Sequence, residues 1–310
     1  LAEKLRAVRF MRFLQATDYR LGGDCTVAAL LDRHEQHGNL LGCLWEPLCL
    51  AALNTAPEQA SAQIFVNTLR DSLGSDRAAT DLLLPAADLD QLFPAAAASF
   101  IAAHGGEIRL STRVASINAS FVVGGERFAA VVLATGPQQA APLLAGNEQS
   151  GPVARLLADY RWEPIGTVYC GYPPEVRLPL PMLGLAAQGD GRFGQWAFDR
   201  GRLCGTAGVI AFVLSGSGAW EQADNRTLVA ALHDELAAAL GTRLPPVVWQ
   251  QVIRERRATF SCRPGLPRPA ARTALAGLWL AGDYVCADYP ATLEAAVRSG
   301  VAAARGILLS

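Results

Sequence analysis

Hydrophobic positions change their spacing several times along this 310-residue chain. In "VAALLDRH" and "ASAQIFVNTLRDSLG" apolar residues recur every three or four positions, the period of one buried helix face. Gly74 is placed to end the second of these helices. Between them, Asn54-Thr55-Ala56-Pro57 suits a helix end followed by a restart. "AADLDQLFPAAAASFIAAHGG" predicts a further helix, closed by Gly105 and Gly106.

The period then shortens. "EIRLSTRVASI" predicts a strand with a break, and "FVVGGERF" a hairpin turning at Gly124-Gly125. "AAVVLATG" is a short unbroken apolar run, which suits a strand buried on both faces of a parallel sheet. Between about residues 151 and 263, "IGTVYCGY", "GQWAFDR", "CGTAGVIAFVLS" and "VVWQQVIRERRATF" predict strands. Their partial alternation implies a half-exposed antiparallel or mixed sheet. One amphipathic helix, "NRTLVAALHDELAAALG", lies among them. After the proline-rich "RPGLPRPAART", "GLWLAGD" returns to the buried-strand texture. The two textures alternate twice, so two interleaved domains are expected, in four segments: 1–85, 86–146, 147–265 and 266–310.

Composition narrows the function. The chain is 51% hydrophobic with a formal net charge of -1. That is enough apolar material for a real core, and too little positive charge for a nucleic-acid binder. No run of eighteen apolar residues predicts a spanning helix, and "LAEKLRAVRFMRF" lacks the apolar centre of a secretory signal. Seven cysteines form no C-x-x-C pair, which suits a reduced, cytoplasmic protein. His34 and His37 stand three apart in "HEQH", but nothing nearby completes a ligand set, so no metal is expected. The chain starts at Leu1 rather than at Met, and the expectation is a part of a longer protein.

One G-x-G-x-x-G occurs, "GDGRFG" from Gly189 to Gly194. That fingerprint needs a buried strand before it and a helix after it. Neither is present in the pattern, and Asp190-Gly191 is a hairpin signal, so a hairpin turn is expected. The C-terminal "GLWLAGDYVCADYPATLEAAVRSG" is more informative. It reads as a buried strand, a stop at Gly282-Asp283, a loop and a helix. Asp283 would stand at the carboxyl end of the strand, where open sheets bind ligands. Amides around Ala291, Thr292 and Leu293 would open the helix and face an anion or a polarised carbonyl. Leu293, Val297, Val301, Ala304 and Leu308 form the expected apolar stripe. Ala295, Ala296 and Gly300 are small enough for a close approach to the sheet. An ordinary strand–loop–helix with Asp283 as a solvated cap fits the same residues.

"GLWLAGDYVCADYPATLEAAVRSGVAAA" resembles the C-terminal FAD motif of the flavin amine oxidase and carotenoid desaturase superfamily. "GGEIRLSTRVASI" followed by "VVLATGP" resembles its middle FAD segment. The resemblance implies that Asp283, after Gly282, holds the ribityl chain of FAD. It also implies that Ala291, Thr292, Leu293 and Glu294 face the pyrophosphate and the flavin. Val114 would contact adenine through its backbone, and Ala134, Thr135 and Gly136 would line the dinucleotide crevice. "LWEPLCLAALNTAPEQASAQIFVNTLRDSLG", "GQWAFDRG" and "RATFSCRPG" are together similar to the bacterial squalene-associated FAD-dependent desaturases.

The implied fold is α/β, with an α+β substrate part. An incomplete FAD/NAD(P)-binding Rossmann-like domain (86–146 and 266–310) is interleaved with a helix-plus-mixed-sheet substrate domain (1–85 and 147–265). The implied reaction is a reductive dehydroxylation of hydroxysqualene, a polyprenyl lipid, to squalene. Carotenoid desaturation and amine oxidation are the alternatives within the superfamily. The second is disfavoured because its members commonly place a lysine near the flavin, and here the only lysine is Lys4. The family begins with strand, G-x-G-x-x-G and helix, a unit that residues 1–310 do not contain. This chain is therefore expected to lack bound FAD and to expose a sheet edge that a second copy could cover. A cofactor-free fragment without activity is the reading from another class.

For catalysis the residues single out no acid; Asp199, Glu46 and Tyr284 are the candidates. Trp45, Leu48 and Leu50 are candidate substrate-lining residues, and each also suits helix packing. A lipid substrate implies peripheral contact with the inner face of the membrane. Arg6, Arg9 and Arg12, with Val8, Phe10 and Phe13 between them, could supply it, although an internal amphipathic helix fits that segment too.

Overall fold

The computed structural model describes residues 2–74, 78–185 and 192–309. The first part is helical: α1 (Ala2–Ala16), α2 (Val27–Arg33), α3 (Glu46–Leu53) and α4 (Ala62–Leu73). Side-chain caps set two of the starts. Thr26 Oγ1 accepts the amide of Ala29 and Ser61 Oγ that of Ile64, both at 3.2 Å, each satisfying an amide that the first turn leaves free. Asn54 ends α3 in the left-handed region, with φ 48°. A π-helical turn, Leu41–Trp45, runs straight into α3, and the Glu46 amide bonds back to Leu41 O. Pro47 has no amide to donate, which favours a widened turn at this point.

Next come α5 (Leu89–Leu92) and α6 (Pro94–Ala103). One helix was expected here. Phe93, just before Pro94, takes φ -138°, because a residue preceding proline is pushed out of helical geometry. The hairpin at Gly124-Gly125 is present, with β1 (Val122–Val123) against β2 (Glu126–Arg127). Both glycines have positive φ, 61° and 86°, as a tight two-residue hairpin turn requires. The strand expected over residues 107–117 is not there: that stretch carries no strand pairing and is exposed almost throughout. Strand geometry needs a partner for its backbone groups, and the fold brings none to it.

β3 (Val131–Leu133) follows, then α7 (Pro137–Leu144) and α8 (Gly151–Ala158). The long middle stretch contains β4 (Trp162–Gly171), β5 (Met182–Gly184), β6 (Trp196–Asp199), α9 (Arg200–Cys204), β7 (Val209–Ser215), α10 (Asn225–Leu240) and β8 (Trp249–Phe260). The five strands form one sheet in the order β5-β6-β7-β4-β8. It is antiparallel throughout rather than mixed. Helix α10 covers one face, burying Leu228, Leu232 and Leu236 with Val168, Ile210, Phe212 and Leu214 in one core. The β8 edge is exposed and carries Arg254, Glu255, Arg256 and Arg257, charges that discourage edge pairing. β5 and β6 pair as the arms of a hairpin. Of the hairpin turn expected over Gly189 to Gly194, residues 189–191 lie outside the described residues.

The chain closes with β9 (Leu278–Leu280) and α11 (Leu293–Leu308). β9 runs parallel to β3, with Val132 opposite Trp279, so the two unbroken apolar runs share a sheet as expected. Their side chains join the first core: Leu133, Leu278, Leu280 and Tyr284 are buried with Phe10, Trp45, Phe65 and Leu69. The face of α11 differs from the expected one. Ala295, Ser299 and Ala303 are buried, whereas Leu293, Val297, Val301 and Leu308 are exposed. Small residues win the contact because the helix lies close to the strand: a β-carbon on Gly306 would collide with the Trp279 ring. Among the described residues no helix is long and apolar enough to cross a membrane.

Candidate functional site

Two places collect chemistry. The first lies at the carboxyl ends of β3 and β9. Their parallel pairing is prolonged by the Ala281 amide, which donates to Leu133 O at 3.1 Å. Ala134-Thr135-Gly136 and Gly282-Asp283 therefore leave the sheet side by side. Each exit is followed by a helix: α7 starts just after Gly136, and α11 starts after Thr292, whose Oγ1 accepts the Ala295 amide at 3.2 Å. Strand ends beside helix N-termini suit a polar or anionic ligand.

Gly282 makes this exit possible. Its φ is 153°, and a β-carbon there would run into the Tyr284 ring. Its amide donates to Ser299 Oγ at 2.7 Å, and that hydroxyl donates to Ala296 O at 2.7 Å, tying the strand end to α11. The Asp283 carboxyl is half-buried, and burial raises its pKa above the usual carboxylate range. The Tyr284 amide and Arg268 pull the other way. Arg268 stacks on Phe260 at 4.1 Å and donates to Asp283 O and Tyr289 O at 3.4 and 3.3 Å.

The sequence-derived residues divide. Ala134, Thr135, Gly136, Gly282 and Asp283 come together at the strand ends. Ala291 and Thr292 are half-buried ahead of α11, Leu293 is 81% exposed, and Glu294 is turned outward onto Arg298 at 2.6 Å. Val114 sits in the exposed stretch without strand pairing. The residues at the strand ends fit a hydroxylated chain: a carboxylate partly shielded from water stands beside a strand exit that only glycine accommodates. Tyr284 is fully buried and its hydroxyl has no hydrogen-bond partner among the described residues.

The second place is a cavity of about 630 Å³ between the π-turn–α3 helix and the β5-β6-β7 side of the sheet. Gly42, Cys43, Glu46, Pro47 and Leu50 face it, along one stripe of the helix. The opposite stripe, Trp45, Cys49 and Leu53, is core. Trp45 donates to Gln36 Oε1 at 3.0 Å and packs edge-on against Phe10 and Phe65. Leu48 packs against the same core. Of the three candidate lining residues, then, Leu50 stands at this cavity and the other two pack inward. Phe193, Trp196 and Trp220 form the far wall; no spacing in the sequence marks them, because they come from separate strands and loops.

The candidate acids also separate. Asp199 is 1% exposed and occupied: its carboxylate accepts the amides of Arg202 and Leu178 at 3.0 and 2.9 Å, capping α9. Tyr284 belongs to the core. Glu46 stands at the cavity. A buried carboxylate that the sequence did not flag, Glu163, accepts from Ser261 Oγ at 2.5 Å and from Ser217 Oγ at 3.5 Å; Ser217 lines the cavity too. His34 packs against Phe10 and Phe13, with ring centroids 5.1 and 4.3 Å away. The described residues hold no cluster of metal-ligating side chains.

Residues 2–308 match the family described as flavin containing amine oxidoreductase. A hydroxysqualene dehydroxylase of Rhodopseudomonas palustris is 30% identical over 287 residues, covering 87% of this chain and 63% of that protein. Proteins of the same name from Sinorhizobium fredii and Zymomonas mobilis are 28% and 26% identical. The chain spans between 62% and 66% of the length of these curated relatives. Among solved structures, putrescine oxidase bound to putrescine superposes with a TM-score of 0.68 at 16% identity, over 100% of this chain and 75% of that one. An oxidoreductase from Methanosarcina mazei superposes with a TM-score of 0.68 at 10% identity, over 96% and 72%.

Proposed function

We propose, from the premise that this chain belongs to the flavin containing amine oxidoreductase family, that it serves an FAD-dependent reductive dehydroxylation of hydroxysqualene to squalene. One observation carries the reading: the relatives named for that reaction match along 86–89% of this chain.

On this reading Asp283 accepts hydrogen bonds from the ribityl hydroxyls, and the start of α11 from Ala291 to Glu294 faces the pyrophosphate. Ala134 to Gly136 line the crevice beside them. Bound FAD, once reduced, supplies the hydride. The chain's own part is to hold an apolar substrate, orient its reacting carbon and exclude water from the ion formed when the hydroxyl leaves. A wall of Leu50, Phe193, Trp196 and Trp220 suits that task. Docking on a membrane surface would supply the lipid. On α1, Lys4, Leu5, Val8, Arg9 and Arg12 are exposed, while Phe10 is buried in the core.

The test is chemical. The protein is reduced in the presence of FAD and incubated with hydroxysqualene, and the hydrocarbon fraction is analysed by mass spectrometry. Squalene carrying one new hydrogen supports the reading. Desaturated products, or turnover of amines alone, would replace it with a carotenoid-desaturase or amine-oxidase reading.

A further inference from the structure

We infer that Glu46 is the proton donor of this protein, and that the cavity it borders holds an allylic prenyl alcohol with the hydroxyl at the Glu46 end. The inference rests on the dehydroxylation reading above. It adds the residue that makes the hydroxyl leave and the place where the substrate lies.

Hydroxide is a poor leaving group, so the site needs an acid beside the reacting carbon. Among the described residues lining the cavity Glu46 is the sole carboxyl group. The volume of about 630 Å³ falls within the roughly 300–1,000 Å³ of small-molecule sites. The far wall is aromatic, with Phe193, Trp196 and Trp220, and aromatic rings attract a cation more strongly than a neutral alcohol when it lies over their faces. Backbone geometry holds the acid in place, since the π turn and Pro47 put Gly42, Cys43, Glu46, Pro47 and Leu50 on one stripe.

Two hydrogen bonds lead from a residue next to the cavity lining toward the strand-end site. Ala56 and Pro57 line the cavity. The adjacent Thr55 accepts the Cys262 amide at 3.0 Å, and Arg268, six residues further along, contacts Asp283 O.

The charged groups around Glu46 are Glu58 on the loop before α4 and Arg192 across the cavity, with the Cys43 thiol on its own helix. Partial burial of the carboxyl, and then Glu58, raise its pKa, so it keeps its proton to a higher pH than a free carboxylic acid. An apolar ligand that displaces water shifts it further in the same direction. In the step itself the C–O bond breaks and its electron pair leaves with oxygen. The oxygen takes the Glu46 proton and departs as water, leaving an allylic cation and a Glu46 carboxylate. FAD in its reduced form, if held at the strand-end site, would supply the hydride that quenches the cation, and would be oxidised by two electrons in doing so. Glu46, exposed at the mouth, regains its proton from solvent.

The test compares two probes on the chain by tryptophan emission: farnesol, a neutral allylic alcohol, and farnesylamine, a cation of the same skeleton. At neutral pH the amine should bind about five- to tenfold more tightly than the alcohol, the scale of one partly desolvated charge pair. Glu46→Gln should abolish that preference, and Glu46→Asp should retain part of it. In the unmutated chain the preference should fade as acid protonates Glu46, a readout that needs no variant. An amine preference that persists in Glu46→Gln, or that is absent at every pH in the unmutated chain, overturns the assignment. Conversion of hydroxysqualene is scored separately. Its failure with the Glu46-dependent preference intact removes the reaction reading, not the cation site.

Discussion

The side-chain oxygen of Asn54 accepts the amide of Gly216 at 2.6 Å, across 162 residues of sequence. The same side chain donates to Pro164 O at 3.3 Å and to Thr259 Oγ1 at 2.9 Å. It thus ties the end of the Glu46 helix to β4, β8 and the turn that follows β7. Asn54→Ala would strand buried donors and acceptors and force alanine into the left-handed region. A loss of about 3 kcal/mol is expected, seen as a lower urea midpoint at unchanged slope. Asn54→Gly should recover the conformational part of the loss and none of the hydrogen bonding.

Gly306 packs against Trp279 with no room for a β-carbon. Gly306→Val should push the indole off β9 and cost about 1–3 kcal/mol by overpacking. Trp279→Leu, combined with it, should restore part of the loss. Thermal melting of the three variants checks this; a full-strength melt for Gly306→Val alone would show that α11 does not lie against β9 as described.

Asp283 is held in a place that raises its pKa, chiefly by burial. Its folded-state pKa lies above the unfolded one, so the folded chain binds more protons in that window and stability falls as pH rises through it. Asp283→Asn should therefore raise the melting temperature at pH 7 and leave it unchanged well below pH 4, where both forms are neutral. The same change should weaken FAD binding, measured by quenching of flavin fluorescence. A carboxylate that costs stability and gains affinity is one placed for a ligand.

Thiol reactivity should follow burial. Cys43 is exposed at the cavity mouth, whereas Cys170 and Cys262 are buried and burial pushes their pKa values up to about 12. Near pH 8 the buried pair carries almost no thiolate, so a water-soluble disulfide reagent should modify Cys43 quickly and the buried thiols only on unfolding. Farnesol should slow the Cys43 reaction if it fills the cavity. Mass mapping of the labelled peptides gives the order.

What the sequence determined by itself was local. Thr26, Ser61, Asp224 and Thr292 cap helices because their own oxygens reach amides three residues on. Gly124-Gly125 turns because only glycine takes two positive φ values cheaply. The runs "VVLAT" and "LWLAG" were readable as buried strands because continuous apolarity needs cover on both faces, and Asp283 was readable as a strand-end carboxylate for the same reason. Tertiary structure decided whatever needed a distant partner. Residues 107–117 have strand composition and no strand, since a strand needs a partner from elsewhere in the fold and none reaches this stretch. Periodicity marked an apolar stripe on α11, but the close approach set by Trp279 chose the small stripe instead. Asp199, Glu46 and Tyr284 were equivalent candidates along the chain. Only packing separated them, making the first a helix cap, the third a core ring, and leaving Glu46 beside a cavity whose opposite wall comes from residues about 140 to 175 positions away in sequence.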